Sequence, residues 1–173
     1  MDGAGFHDLS KSDSGQPTGH RPYPPVQKML EKYDRLSDPD ILMNRPVLLV
    51  SACTQGHPDL TGWLEALGSE VAATTDLDLA LDALAENPSA WGLLVVVMDH
   101  LACEDAVVET LLLVRTVKRD LPVILASQYF SRNDFSVSRN SICDASLRTP
   151  LSKTAVELAV YAAIENNRFQ GLP

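Results

Sequence analysis

Five short apolar runs, separated by amphipathic segments, dominate the chain from residue 46 onward. An apolar run without alternating polar residues is typical of a strand buried on both faces of a parallel sheet. The clearest run is Gly92 to Val97, and after Met98 it gives way to the polar pair Asp99-His100. The five predicted strands are residues 46–50, 70–74, 93–98, 122–127 and 144–148.

Apolar residues recur at helical spacing between the runs, which predicts helices after the first, second, third and fifth strands. These helices run from Pro58 to a stop at Gly68, from a cap at Thr75 to a point before Pro88, from Glu104 to about Arg119, and onward from a cap at Ser152. The inward face predicted for the third helix is Val107, Val108, Leu111, Leu112 and Val114. Residues 128–142 are only weakly helical. Because crossovers between parallel strands are right-handed, the pattern predicts an α/β fold: a flavodoxin-like, doubly wound, five-stranded parallel sheet of order 2-1-3-4-5.

The chain before residue 46 has a different character. Residues 1–25 are rich in Gly, Ser, Asp, His and Pro, which predicts a disordered tail. Residues 26–44 are predicted to be a helical extension, and its apolar face is Val26, Met29, Leu30, Tyr33 and Leu36. A helix this short is unstable alone in water, so it packs either on its own domain or on a second copy. Residues 168–173 are predicted to be a tail or the start of a linker.

Composition is that of a globular protein: 45% of the 173 residues are hydrophobic, and the formal charge is −9. No run approaches the length of a membrane span and no signal-peptide layout opens the chain, so we expect a cytoplasmic protein without membrane contact. The negative charge argues against direct nucleic-acid binding. One group of acids is either a solvated surface or a docking patch for a basic partner, namely Asp76, Asp78, Asp82, Glu86, Glu104, Asp105 and Glu109.

Four segments together carry a family likeness: Val47 to Val50, Gly92 to Val97, Asp120 to Ser127, and Leu147-Arg148-Thr149-Pro150-Leu151. The last is similar to a leucine-x-lysine-proline-hydrophobic ending of a fifth strand. With these segments in register, residues 46–167 resemble the receiver domain of two-component response regulators. The resemblance implies the same fold and a role in signal transduction.

In that family an Asp at the end of strand three accepts a phosphoryl group. Two acids after strand one hold Mg²⁺, a Ser or Thr ends strand four, and a Lys ends strand five. Carboxylate attack on a phosphoryl dianion needs such cations to offset charge. The resemblance places Ser51 and Ala52 at the acidic pair, Val97 at the phosphoacceptor and Thr149 at the lysine, so that only Ser127 matches.

The phosphorylation pocket is therefore predicted to be degenerate. No Asp or Glu occurs between Arg45 and Pro58, so no small slip in register restores the metal site. Val97 is expected to pack as a core residue in a neutral pocket. Asp99 comes two residues later, which keeps it on the same side of the strand as Val97. We expect Asp99 to be a solvated loop acid, and Ser127 to be a strand-end hydroxyl that satisfies a loop amide.

A metal site or a Cys–His nucleophile is geometrically conceivable at the same edge, from Cys53, His57, His100 and Cys103. The close spacings that mark strong metal sites are absent from these residues. Residues 51–57 contain a single glycine, so they do not form a phosphate-binding loop. We therefore predict that the protein is not an enzyme and has no cofactor and no resident metal.

The combined pattern predicts a degenerate receiver, a protein-interaction domain of bacterial-type signalling or transcription control that is independent of phosphorylation. The alternatives are a small-molecule or metal-responsive sensor using the vacated cleft, and a receiver phosphorylated at Asp99. Apolar residues on the last helix exceed one core stripe, so we expect a homodimer to which that helix and the extension contribute. In the family the fourth helix, fifth strand and fifth helix commonly contact partners. The corresponding residues are Tyr129, Phe130, Phe135, Arg139, Arg148, Val156, Val160 and Tyr161, joined by Met29, Leu30 and Tyr33 of the extension.

Overall fold

A computed structural model describes residues 41–52, 58–101, 104–137 and 141–170. In chain order its elements are β1 (Val47–Ser51), α1 (Pro58–Glu65), β2 (Val71–Thr74), α2 (Leu77–Glu86), β3 (Leu93–Val97), α3 (Glu104–Val117), β4 (Val123–Ser127), β5 (Ala145–Arg148) and α4 (Lys153–Gln170). The strands form one parallel sheet of order β2-β1-β3-β4-β5. The predicted flavodoxin-like, doubly wound topology is confirmed.

Two apolar layers enclose the sheet because successive strand residues point to opposite faces. On one face, Val95 and Val97 of β3 pack in a cluster with α1 and α4. On the other face, Leu94 and Val96 pack in a cluster with α2 and α3. All five residues of β1, β3 and β4 are buried, which explains their uninterrupted apolar sequence.

Several local expectations need correction. The N-cap of α2 is Asp76 rather than Thr75, and its side chain accepts hydrogen bonds from the backbone N–H groups of Asp78 and Leu79. Leu112, predicted to face inward, is exposed on α3. Leu42, assigned from the sequence to the extension, is buried in the core cluster of α1 and α4.

Helix α4 is covered within the domain more fully than its sequence suggested. Val156 and Val160, both predicted to contact a partner, are buried against the sheet together with Ala159, Ala162 and Ala163. They are core residues and lie outside any contact surface, which corrects that prediction. The excess of apolar residues on α4 is therefore smaller than the sequence suggested, although Leu158 and Ile164 are only half-buried.

The described residues between β4 and β5 form turns rather than a helix. Asp134 pairs with Ser146 as an antiparallel bridge, through N–H···O distances of 2.8 Å in both directions. This loop thus shields the outer edge of β5, where unpaired backbone groups would otherwise face solvent. None of the helices in the described ranges is long and apolar enough to cross a membrane.

Candidate functional site

The carboxyl edge of the sheet brings the residues of the predicted pocket together. Strand register places Ser51 beside Val97, and Val97 beside Ala126. Ser127 ends β4, and Thr149 follows β5 at a cis Thr149-Pro150 peptide bond. Parallel α/β sheets bind ligands at this edge.

The Asp99 carboxylate links three strands of the sheet at this edge. Its Oδ1 accepts hydrogen bonds from Ser127 Oγ at 3.1 Å and from the Gln128 backbone N–H at 2.8 Å. Its Oδ2 accepts one from Thr149 Oγ1 at 2.7 Å. One carboxylate after β3 is thus held by hydroxyl groups from the ends of β4 and β5.

A tight turn after β3 positions this carboxylate. The Met98 N–H donates to the carbonyl of Ala126 at 2.8 Å, which extends the pairing of β3 and β4 by one residue. The Leu101 N–H then donates back to the Met98 carbonyl at 3.0 Å, and His100 adopts a φ of 65°. The chain therefore turns directly after Asp99 and leaves its side chain over the ends of the strands.

Two expectations about this pair of residues have different outcomes. Asp99 was predicted to be a solvated loop acid, but it is half-buried and accepts three hydrogen bonds, so that prediction is wrong. Ser127 was predicted to satisfy a loop amide, and its Oγ does accept the Tyr129 N–H at 3.2 Å. Ser127 also donates to Asp99, and the sequence did not indicate this second role.

The remaining positions of the predicted pocket are apolar or neutral. Val97 is 1% exposed and packs in the core, as predicted. Ser51 is buried and Ala52 is half-buried. Arg148 is exposed, and its Nη1 donates to the Ser131 carbonyl at 3.0 Å, on the loop outside β5. Its cation is thus directed away from the Asp99 cluster.

The conceivable metal site lies largely outside the described residues. Cys53, His57 and Cys103 all fall in segments that the structure does not describe, and of the four residues His100 alone is placed. Among the described ranges, no group of three or more His, Cys, Asp or Glu residues is arranged to hold a metal ion.

A buried ion pair at the opposite edge was not foreseen. Asp144, just before β5, is fully buried, and its Oδ2 accepts hydrogen bonds from Arg115 Nη2 at 2.6 Å and from the Val123 N–H at 2.7 Å. Asn167 Nδ2 lies 3.5 Å from the same oxygen. Burial raises the pKa of the Asp144 carboxyl, and the charge of Arg115 opposes that rise.

Apart from Val156 and Val160, which are buried, the residues predicted to meet a partner divide into three groups. Tyr129 is 75% exposed, and Arg148 is also exposed. Phe130 and Phe135 are half-buried against the two core clusters, and Tyr161 is half-buried on α4. The others, Arg139, Met29, Leu30 and Tyr33, lie outside the described residues.

Solved structures match the fold, whereas no protein-family model matches the chain and no curated protein matches its sequence. A response regulator receiver domain protein from Clostridium thermocellum is 16% identical with a TM-score of 0.57, over 72% of this chain and 98% of that one. A CheY-like receiver domain protein from Methanospirillum hungatei JF-1 is 18% identical with a TM-score of 0.56, over 73% and 98%. The beryllofluoride-activated NtrC4 receiver domain dimer is 18% identical with a TM-score of 0.56, over 71% and 98%.

These similarities define the class of fold. The chain folds as response-regulator receiver domains do, with the CheY-like arrangement of five strands and flanking helices. Identities of this size establish the fold alone.

Proposed function

We propose that this chain is a receiver-like regulatory domain of bacterial-type signal transduction or transcription control, which acts through protein contacts and without aspartyl phosphorylation. The fold shared with receiver domains supports the signalling role. The observation that supports independence from phosphorylation is the Asp99 carboxylate, which accepts hydrogen bonds from both Ser127 and Thr149.

The chemistry of phosphoryl transfer disfavours Asp99 as an acceptor. A nucleophilic carboxylate needs a lone pair aimed at phosphorus and cations that offset the charge of the incoming dianion. The Asp99 oxygens instead face two hydroxyl donors and one backbone amide. Residues 46–57 contain no carboxylate for Mg²⁺, and residue 149 is a threonine rather than a lysine. The donors at this edge therefore hold an anion that already belongs to the chain.

The same network extends to the proposed contact surface. Ser127 Oγ donates to Asp99 and accepts the N–H of Tyr129, whose own side chain points into solvent. The Arg148 backbone N–H donates to Asn133 Oδ1 at 2.7 Å and ties β5 to the same loop. We infer that the loop around Tyr129 is held permanently in one arrangement, so that binding of a partner needs no chemical switch.

Incubation of the full chain with acetyl phosphate and Mg²⁺ is expected to leave its intact mass unchanged, because residues 46–57 supply no carboxylate for Mg²⁺ and residue 149 is not a lysine. Beryllium fluoride with Mg²⁺ is likewise expected to leave the amide spectrum unchanged. A phosphorylatable receiver in the same buffer serves as the positive control. A Mg²⁺-dependent adduct that disappears in Asp99→Ala would overturn the proposal and establish Asp99 as a phosphoacceptor.

A second copy of the chain is one partner that suits the surface around Tyr129, since exposed aromatic residues and arginine are enriched at protein interfaces. We expect light scattering of the full chain at high micromolar concentration to give a dimer, and Tyr129→Asp to give a monomer. Met43→Asp, an exposed position at the opposite edge of the sheet, is the matched control and should remain dimeric. A wild-type chain that stays monomeric at that concentration would exclude the homodimer.

A further inference from the structure

An apolar groove lies between α2 and α3, on the face of the sheet opposite α4. Its volume is about 230 Å³, below the roughly 300–1,000 Å³ that is typical of small-molecule sites. Two large apolar side chains of α3 line the groove and are largely open to solvent. They are Leu113, which is 57% exposed, and Val117, which is 61% exposed. The other apolar lining residues are Leu81, Leu84, Ala85 and Val114. Such a groove accepts side chains from an amphipathic helix better than a compact ligand.

Exposed acids lie along both of the helices that form this groove. They are Asp78, Asp82 and Glu86 on α2, and Asp105 and Glu109 on α3. Asp82 lines the groove itself, and Glu109 lies one turn before Leu113 on the same stripe of α3. Lys118 is the one base among the lining residues. The groove and the acids along its two helices therefore favour a partner helix that has an apolar stripe and an excess of positive charge.

We propose that residues 26–36 of this same chain dock in the α2–α3 groove as an amphipathic helix. The segment has an apolar stripe at helical spacing, formed by Val26, Met29, Leu30, Tyr33 and Leu36. Its three bases, Lys28, Lys32 and Arg35, outnumber its two acids. It thus combines the two properties that the groove selects, apolar side chains and net positive charge.

The point at which the described chain begins allows this docking. Ile41 lines a second groove, of about 490 Å³, at the amino edge of the sheet, and Lys118 lines both grooves. Residues 37–40 connect the segment to Ile41, and an extended chain spans roughly 3.3–3.6 Å per residue. The two adjoining grooves give the extension a continuous path from Ile41 to α2 and α3.

The tether favours this chain over a second copy as the source of the helix. A short linker gives an effective concentration on the order of millimolar, so weak contacts suffice within one molecule. Helix α4 offers the segment a smaller apolar face, since Val156, Ala159, Val160, Ala162 and Ala163 are already buried against the sheet. Asp82 and Glu109, two members of the acidic group seen in the sequence, thus lie at the proposed docking site.

Hydrogen exchange of the full chain, followed by mass spectrometry, tests the proposal. We expect amides in residues 26–36 to exchange about tenfold or more slowly than in a free peptide of that sequence. Leu113→Asp in the groove and Leu30→Asp in the segment should each abolish this protection. Leu79→Asp is the matched control, because Leu79 is 58% exposed on α2 and does not line the groove.

A charge substitution tests the choice of occupant. Asp82→Lys should raise exchange in residues 26–36 several-fold, whereas Asp59→Lys, on the other face of the sheet, should leave it unchanged. Unprotected amides in the wild-type segment would overturn the proposal, as would protection that survives Leu113→Asp. Protection that disappears on dilution, in parallel with dissociation of a dimer, would assign the groove to a second copy and also overturn it.

Discussion

Asp144→Ala is expected to lower the free energy of unfolding by about 3–5 kcal/mol, measured by urea denaturation near neutral pH. The substitution leaves the guanidinium of Arg115 buried without its carboxylate and removes the acceptor of the Val123 N–H. Buried groups that lose one partner carry the full penalty of leaving water, which exceeds the net worth of an intact pair. A loss below about 1 kcal/mol would show that water reaches this site.

Two further variants separate charge from hydrogen bonding in this network. Asp144→Asn keeps an oxygen for Val123 and should lose less stability than Asp144→Ala. The Arg115 Nε is buried and has no acceptor within the described residues, so the intact pair is incompletely satisfied. The double variant Arg115→Met with Asp144→Asn is therefore expected to be more stable than Asp144→Ala, despite its two changes.

The pH dependence of the Asp144→Asn comparison has a defined sign. Because burial raises the pKa of the Asp144 carboxyl above 3.8, the folded chain binds this proton more tightly than the unfolded chain does. The resulting contribution to stability is present at the acid end and is lost as pH rises through the raised pKa. The free energy of unfolding of the wild type, measured relative to that of Asp144→Asn, should therefore decrease as pH rises from 3.8, the ordinary pKa of an Asp carboxyl, toward neutrality.

The sheet was predictable from the sequence because its physics is local and repetitive. Each buried strand needs apolar residues on both faces, so Val47–Ser51 and Leu93–Val97 appear as uninterrupted runs. The short crossovers and their fixed handedness then leave few possible strand orders. The boundaries moved by about a residue, which is the ordinary uncertainty of strand ends.

The Asp99 cluster was only partly predictable. Spacing along β3 placed Asp99 on the correct side, but its partners Ser127 and Thr149 lie 28 and 50 residues away in sequence. The orientation of the Asp99 side chain depends on the turn at His100, which has a φ of 65°. A glycine at this position would have indicated such a turn, but a histidine does not. The contacts therefore became visible only once the strand ends were placed together.

The network around Asp144 escaped sequence reasoning for a different reason. Charged residues are almost never fully buried unless they are paired, so an isolated Asp beside a strand is ordinarily interpreted as a surface residue. The available signals were weak: Asp144 is the only acid between Asp134 and Glu157, and the Asn166-Asn167 pair interrupts an apolar helix. The residues of the sheet and of α1 that cover α4 are also distant from it in sequence. For this reason the apolar residues of α4 suggested a dimer.

Val97→Asp is expected to destabilise the domain by about 1–3 kcal/mol or more, measured as a lower melting temperature and urea midpoint without added Mg²⁺. Val97 is buried between Ser51 of β1 and Ala126 of β4, so the new carboxylate would lose its water. Asp99, two residues further along, adds a second negative charge at the same edge, and residue 149 supplies no lysine to offset it.

The neutral variant Val97→Asn is the matched control, because the Asn side chain has nearly the same shape as Asp and is also polar but carries no charge. Burial would raise the pKa of the new carboxyl, so the excess loss of Val97→Asp over Val97→Asn should shrink as pH falls toward about 4 and the group binds a proton. An excess that stays constant with pH would show that the carboxyl has the same pKa in the folded and unfolded chains and is therefore not desolvated on folding. An unchanged melting temperature in Val97→Asp would show instead that the edge of the sheet at β3 is open and wet, contrary to the packing of Val97 in the core.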